Sequence, residues 1–188
     1  APSLDPRQRH FLCTCGAPLL ARYDLERART WSRDTLQGRA PTMWRYRELM
    51  PLFDGVEPVS LGEGFTPLFH ARLLGSTLGL ERLYVKDESL NPTNSFKARG
   101  QSAAITRAKY LGAETIALPT AGNAGNAAAA YSAAAGLKCE VFIPKDAKRP
   151  FVDECRLYGA HVTMVEAHVS RRAGPRAPPA RTRRARGR

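Results

Sequence analysis

A chain of 188 residues with 43% hydrophobic and 8% aromatic side chains can build one folded domain with a small appendage. Its formal net charge of +12 resembles a nucleic-acid signal, but residues 171–188 hold eight Arg and no acid. The other 170 residues carry 21 basic and 17 acidic side chains, a mild balance that argues against a nucleic-acid-binding body. The four cysteines (Cys13, Cys15, Cys139, Cys155) form no dense disulfide framework, and no segment approaches the roughly 20 apolar residues of a membrane span. The N-terminal APSLDPRQRH has no apolar leader core, so a cytoplasmic location is expected.

Composition separates three regions: residues 1–60, residues 61–167 and a basic low-complexity tail at 168–188. In the first, MWRYRELMP (43–51) predicts a short helix stopped by Pro51. In the second, strand and helix signals alternate. RLYVK (82–86) reads as a strand, and SFKARGQSAAITRAKYL (95–111) as a helix ended by Gly112. ETIAL (114–118) is a strand, and the Ala-rich segment 123–135 a helix ended by Gly136. KCEVFI (138–143) is a strand broken by Pro144, residues 147–158 suit a helix ended by Gly159, and HVTMV (161–165) a strand. This alternation predicts an α/β fold of βαβ units on a parallel sheet, with right-handed crossovers and helices covering the sheet.

In open α/β sheets the ligand site lies beyond the carboxyl ends of the strands. Two loops are expected on that rim: DESLNPTNS (87–95) before Lys97, and PTAGNAGN (119–126) before the Ala-rich helix. In the second loop, Gly122 and Gly125 flank Asn123 at a helix start. Glycines admit close backbone approach, and unpaired N–H groups there suit an anion such as a carboxylate. The Asn123 amide can donate or accept, although a plain Asn-capped turn explains the same pattern. Lys97 opens a helix, where the macrodipole disfavours a cation. Either it is solvated and inert, or it is held beside an anion. A partly desolvated lysine there would have a lowered pKa suited to nucleophilic chemistry.

KDESLNPTNSFKARG (86–100) and PTAGNAGNAAAAYSAAAG (119–136) together resemble the fold-type II pyridoxal-phosphate enzymes. Within that group the threonine synthases are most similar. CTCGAPLLARYDLE (13–26), MWRYRELMP and VSLGEGFTPL (59–68) look like their N-terminal segments, in the same order. The resemblance spans roughly residues 12–167. It implies an incomplete version of that family's three-layer parallel-sheet fold and pyridoxal 5'-phosphate as cofactor; the sequence itself offers no membrane span and no recognisable nucleic-acid-binding motif, so no membrane or specific nucleic-acid partner is expected. Lys97 matches the lysine that holds the cofactor covalently and moves protons on the substrate, and Phe96 the aromatic beside it. Asn123 matches the asparagine bonded to the ring's 3′-oxygen, while Thr120, Ala121, Gly122, Asn123 and Ala124 lie in the loop that clasps the substrate carboxylate. The implied reaction converts O-phospho-L-homoserine and water to L-threonine and phosphate, in an enzyme that is usually a homodimer.

A threonine or serine dehydratase, or a cysteate or cysteine synthase, would use the same cofactor. A basic module binding nucleic acid through its tail is the non-enzymatic alternative. Cys13 and Cys15 look like half of a zinc-ribbon-like segment, but a closed zinc site needs four ligands, so no metal is assigned. The step from HVTMV to eight Arg in eighteen residues is what a shifted reading frame in GC-rich DNA would produce. The chain is therefore expected to be an N-terminal portion, weakly active or inactive alone.

Overall fold

The computed structural model describes residues 3–166. Residues 3–60 bury few side chains. Their ordered pieces are a one-turn helix, α1 (Leu25–Ala28), capped by Asp24, and two 3-10 turns, Arg33–Leu36 and Met43–Leu49. The helix predicted over 43–51 is the second of these turns, broken at Tyr46, with only Met43 and Trp44 buried.

The predicted alternation holds from there to residue 165. Helix α3 (Lys97–Tyr110) leads through Gly112 to strand β3 (Thr115–Pro119). Helix α4 (Asn123–Ala135) connects β3 to β4 (Lys138–Pro144), and α5 (Arg149–Leu157) connects β4 to β5 (His161–Val165). Left-handed glycines at 112, 136 and 159 end the three helices, where a side chain would be strained. The sheet is parallel in the order β3-β4-β5, with Ile116 opposite Cys139 and Val141 opposite Val162.

One expectation is corrected here. The strand predicted from RLYVK is not part of this sheet. As β2 (Tyr84–Lys86) it pairs antiparallel with β1 (Leu68–His70), and α2 (Arg72–Leu78) lies between them. The connection from β1, residues 71–83 with α2 inside it, is long enough for either pairing, so the strand signal of RLYVK alone does not fix its partner.

Strand β4 alternates in the expected way: Cys139, Val141 and Ile143 are buried, Lys138 and Glu140 exposed. The buried face meets Ala128 and Ala129 of α4 and Val152 and Cys155 of α5. A second cluster joins Ala98 and Ile105 of α3 to Ala127, Tyr131 and Ala135 of α4. Helix α4 therefore lies between α3 and α5, and its alanines allow close approach. Two crossovers of one hand, stepping the same way, put their helices on one sheet face. The opposite face is left to Thr115, Ala117 and Glu140, all exposed, so the described residues supply two of the three expected layers. Among them no helix is long and apolar enough to cross a membrane. The predicted tail at 168–188 lies outside the described residues.

Candidate functional site

The loop before α3 is a strained turn held by buried polar groups. Two 3-10 turns, Glu88–Leu90 and Pro92–Asn94, precede Ser95. Thr93 and Asn94 both adopt left-handed backbone (φ 58° and 51°), which non-glycine residues occupy only under tertiary constraint. Asn91 supplies that constraint. Its Oδ1 accepts from the Gly64 N–H at 3.0 Å, and its Nδ2 donates to the Glu88 carbonyl at 2.9 Å. Glu88 in turn accepts both Nε (2.6 Å) and Nη2 (2.8 Å) of Arg99 and the Thr66 hydroxyl at 2.6 Å. The Arg99 guanidinium, with the Thr66 hydroxyl behind it, holds the Glu88 carboxyl at about 2.

Lys97 begins α3 just beyond that turn. Its Nζ forms no hydrogen bond or ion pair among the described residues and lies 4.2 Å from the centroid of the Phe96 ring. Of the two settings left open for Lys97 the structure shows the solvated one: Lys97 is exposed and Phe96 is 56% exposed. Glu88, an acid of the preceding turn, is bound by Arg99.

The start of α4 is ordered by Thr120. This buried residue's Oγ1 accepts the N–H groups of Gly122 and Gly125, each at 3.2 Å. A Cβ at Gly125 would lie 2.5 Å from the Thr120 methyl and 3.1 Å from Val141, so only glycine lets the first turn of α4 sit on the strands. The N–H groups of Ala121, Asn123 and Ala124 find no acceptor among the described residues, and the Asn123 side chain is exposed and unpaired.

The two starts share one end of the fold, by a route other than the one expected. Helix α3 delivers the chain to the beginning of β3, and α4 delivers it to the beginning of β4. Because β3 and β4 are parallel neighbours, both helices finish at the same edge. With 14 and 13 residues, the packed helices are both about 20 Å long. Lys97 and Asn123 therefore open toward the carboxyl-end rim, brought there by helix packing instead of by adjacent strands.

Sequence reasoning missed Glu63. It is 0% exposed and has no cation among its hydrogen-bond partners. Its Oε1 accepts Trp44 Nε1–H (2.8 Å) and the Ser102 hydroxyl (2.6 Å); its Oε2 accepts the Leu61 N–H (3.0 Å) and the Tyr131 hydroxyl (2.5 Å). Burial first, then Glu63, pushes the Tyr131 phenol far above its ordinary range. The available signal was the Gly-Glu-Gly setting. Gly64 has φ 104°, and a Cβ there would lie 2.5 Å from the Met43 nitrogen, so backbone closes over the carboxylate.

Among the described residues no group of three or more His, Cys, Asp or Glu could hold a metal ion. Cys13 and Cys15 are free thiols, and the Cys15 backbone N–H lowers the pKa of Cys13. Cys139 and Cys155 are buried, and burial pushes both thiols up.

Residues 59–184 match the pyridoxal-phosphate dependent enzyme family. The chain belongs to this family. The match runs past residue 167, where the sequence resemblance was expected to end, into residues outside those described. The chain is 39% identical to the threonine synthase of Methanocaldococcus jannaschii over 160 residues, covering 84% of this chain and 40% of that protein. Among solved structures, a pyridoxal 5'-phosphate-dependent aspartate racemase superposes with a TM-score of 0.50 at 36% identity, covering 53% of this chain and 32% of that one. A diaminopropionate ammonia lyase from Escherichia coli superposes with a TM-score of 0.54 at 25% identity, covering 60% and 33%. The chain thus spans about 40% of the length of the threonine synthase it matches.

The family's cofactor is pyridoxal 5'-phosphate, and the residues present fit it. Lys97 offers a primary amine with no protein partner, and the α4 start offers three unmatched N–H donors with the open Asn123 amide.

Proposed function

We propose that this chain carries the cofactor-holding portion of a cytoplasmic threonine synthase, which converts O-phospho-L-homoserine and water to L-threonine and phosphate. The observation that carries the reading is the unpartnered Lys97 amine on the same rim as the unmatched α4 donors. The choice of substrate rests on the 39% identity to a threonine synthase, which extends over 84% of the chain.

Lys97 would hold the cofactor covalently, with Phe96 beside it and the Asn123 amide on the ring's 3′-oxygen. The N–H groups of Ala121, Asn123 and Ala124, in the turn formed by Thr120 and Gly122, would take the substrate α-carboxylate. When bound, the cofactor supplies the ring that accepts the electron pair released at Cα. The free Lys97 Nζ takes protons from the substrate carbons and returns them. Phosphate leaves Cγ, which gains a proton, and hydroxide from water adds to Cβ.

Borohydride reduction of the chain with pyridoxal phosphate, followed by peptide mapping, tests the reading. Label on the peptide containing Lys97 is expected, with none after Lys97→Ala. Label confined to other lysines would overturn it. Phosphate release from O-phospho-L-homoserine, compared with ammonia release from serine or threonine, separates a synthase from a dehydratase.

A further inference from the structure

We propose that Glu63 is a positioning residue, whose buried carboxylate sets the spacing between the helix that carries Lys97 and the helix that carries Asn123. This rests on the reading above that those two residues hold the cofactor. Ser102 of α3 and Tyr131 of α4 donate to opposite oxygens of this one carboxylate, at 2.6 and 2.5 Å. Trp44 bonds both Glu63 and the Ser102 oxygen (2.8 and 2.9 Å), and Ser102 also lies 2.7 Å from the Val59 carbonyl.

A wholly buried carboxylate is an expensive way to join two helices, since an apolar side chain of similar size packs there without desolvation cost. What the carboxylate adds is direction. Apolar surfaces slide against each other with little penalty, whereas two hydrogen bonds to one planar group fix separation and rotation together. Ser102 is five residues beyond Lys97, about 7–8 Å along α3, and Tyr131 is eight beyond Asn123, about 12 Å along α4. A small rotation at Glu63 therefore becomes a displacement of the two functional groups relative to one another.

The test uses the full chain with pyridoxal phosphate, comparing wild type, Glu63→Gln and Tyr131→Phe. Cofactor affinity, visible circular dichroism of the bound cofactor and borohydride labelling of Lys97 are measured beside the thermal melt. Glu63→Gln keeps the shape but turns an amide N–H₂ toward donors. It is expected to weaken cofactor binding on the order of tenfold and to reduce the dichroism of the cofactor that still binds. A purely structural role would lower the melting temperature and leave that dichroism unchanged per bound cofactor, which would overturn the proposal. If Glu63→Gln does not fold, Tyr131→Phe decides by the same readouts, with wild-type values again overturning it. Wild-type chain that takes no label at Lys97 would remove the functional reading and this inference together. Wild-type labelling with an unperturbed Glu63→Gln would remove this inference alone.

Discussion

Two carboxylates, Glu63 before β1 and Glu88 in the turn before α3, are held in opposite ways. Glu88 is paired with a guanidinium, and the two side chains remain 31% and 32% exposed. Glu63 is sealed from water and meets only neutral donors, drawn from four different segments of chain. The first arrangement is local: it ties Arg99 to the strained turn and contributes modestly, because water screens it. The second is long-range and includes Trp44, a buried side chain from the sparsely packed residues 3–60. Placement therefore depends on the concealed neutral network, while the visible ion pair tunes a turn.

Removing Glu63 should have the largest effect. Glu63→Ala leaves the Tyr131 hydroxyl and the Leu61 N–H buried without their acceptor, takes one of two acceptors from Trp44 and Ser102 and opens a cavity, and should cost on the order of 4 kcal/mol in denaturant unfolding. A loss no greater than that at Glu88 would erase the distinction. Tyr131→Phe removes one donor and keeps the ring, at about 1–2 kcal/mol. It should also change the alkaline limb. Because the folded phenol is raised above its ordinary 10.0, its contribution is complete below that value and declines as the pH rises beyond it. The variant should lose this decline, as read from stability measured against pH.

Glu88→Gln should cost about 1 kcal/mol, given the partial exposure of the pair. Its signature lies in acid. With the folded carboxyl at about 2 against an ordinary 4.5, the contribution is complete above 4.5 and is lost as the pH falls through about 2. The acid limb of the variant should be flatter across that interval. Smallest of all, Asp153→Asn cuts the Arg149–Asp153 pair, whose side chains are 88% and 47% exposed, and should leave the melting temperature unchanged.

The sequence made α3, α4 and α5 legible through helical spacing or Ala-rich composition with a glycine just beyond each end, and the parallel strands through short β-rich runs between them. Strand β2 was legible as a strand, but not as a partner of β1, since three residues of local pattern carry no information about what they pair with. The rim holding Lys97 and Asn123 was reached from loop chemistry, whereas the structure reaches it through the packing of Ala98 and Ile105 against α4. Glu63 escaped notice for a general reason. A lone acid in a glycine-rich loop reads as solvated, and its burial depends on donors 19, 39 and 68 residues away.

The space at Gly125 has a consequence for how this protein can vary. With the Thr120 methyl 2.5 Å from where a first side-chain carbon would stand, the position tolerates hydrogen and nothing larger. Even alanine would lever the opening turn of α4 off the strands and tilt its amide row away from the rim. A saturation library at this codon, sorted for retained cofactor, should return a single amino acid, whereas the neighbouring codon for Ala124 should accept several.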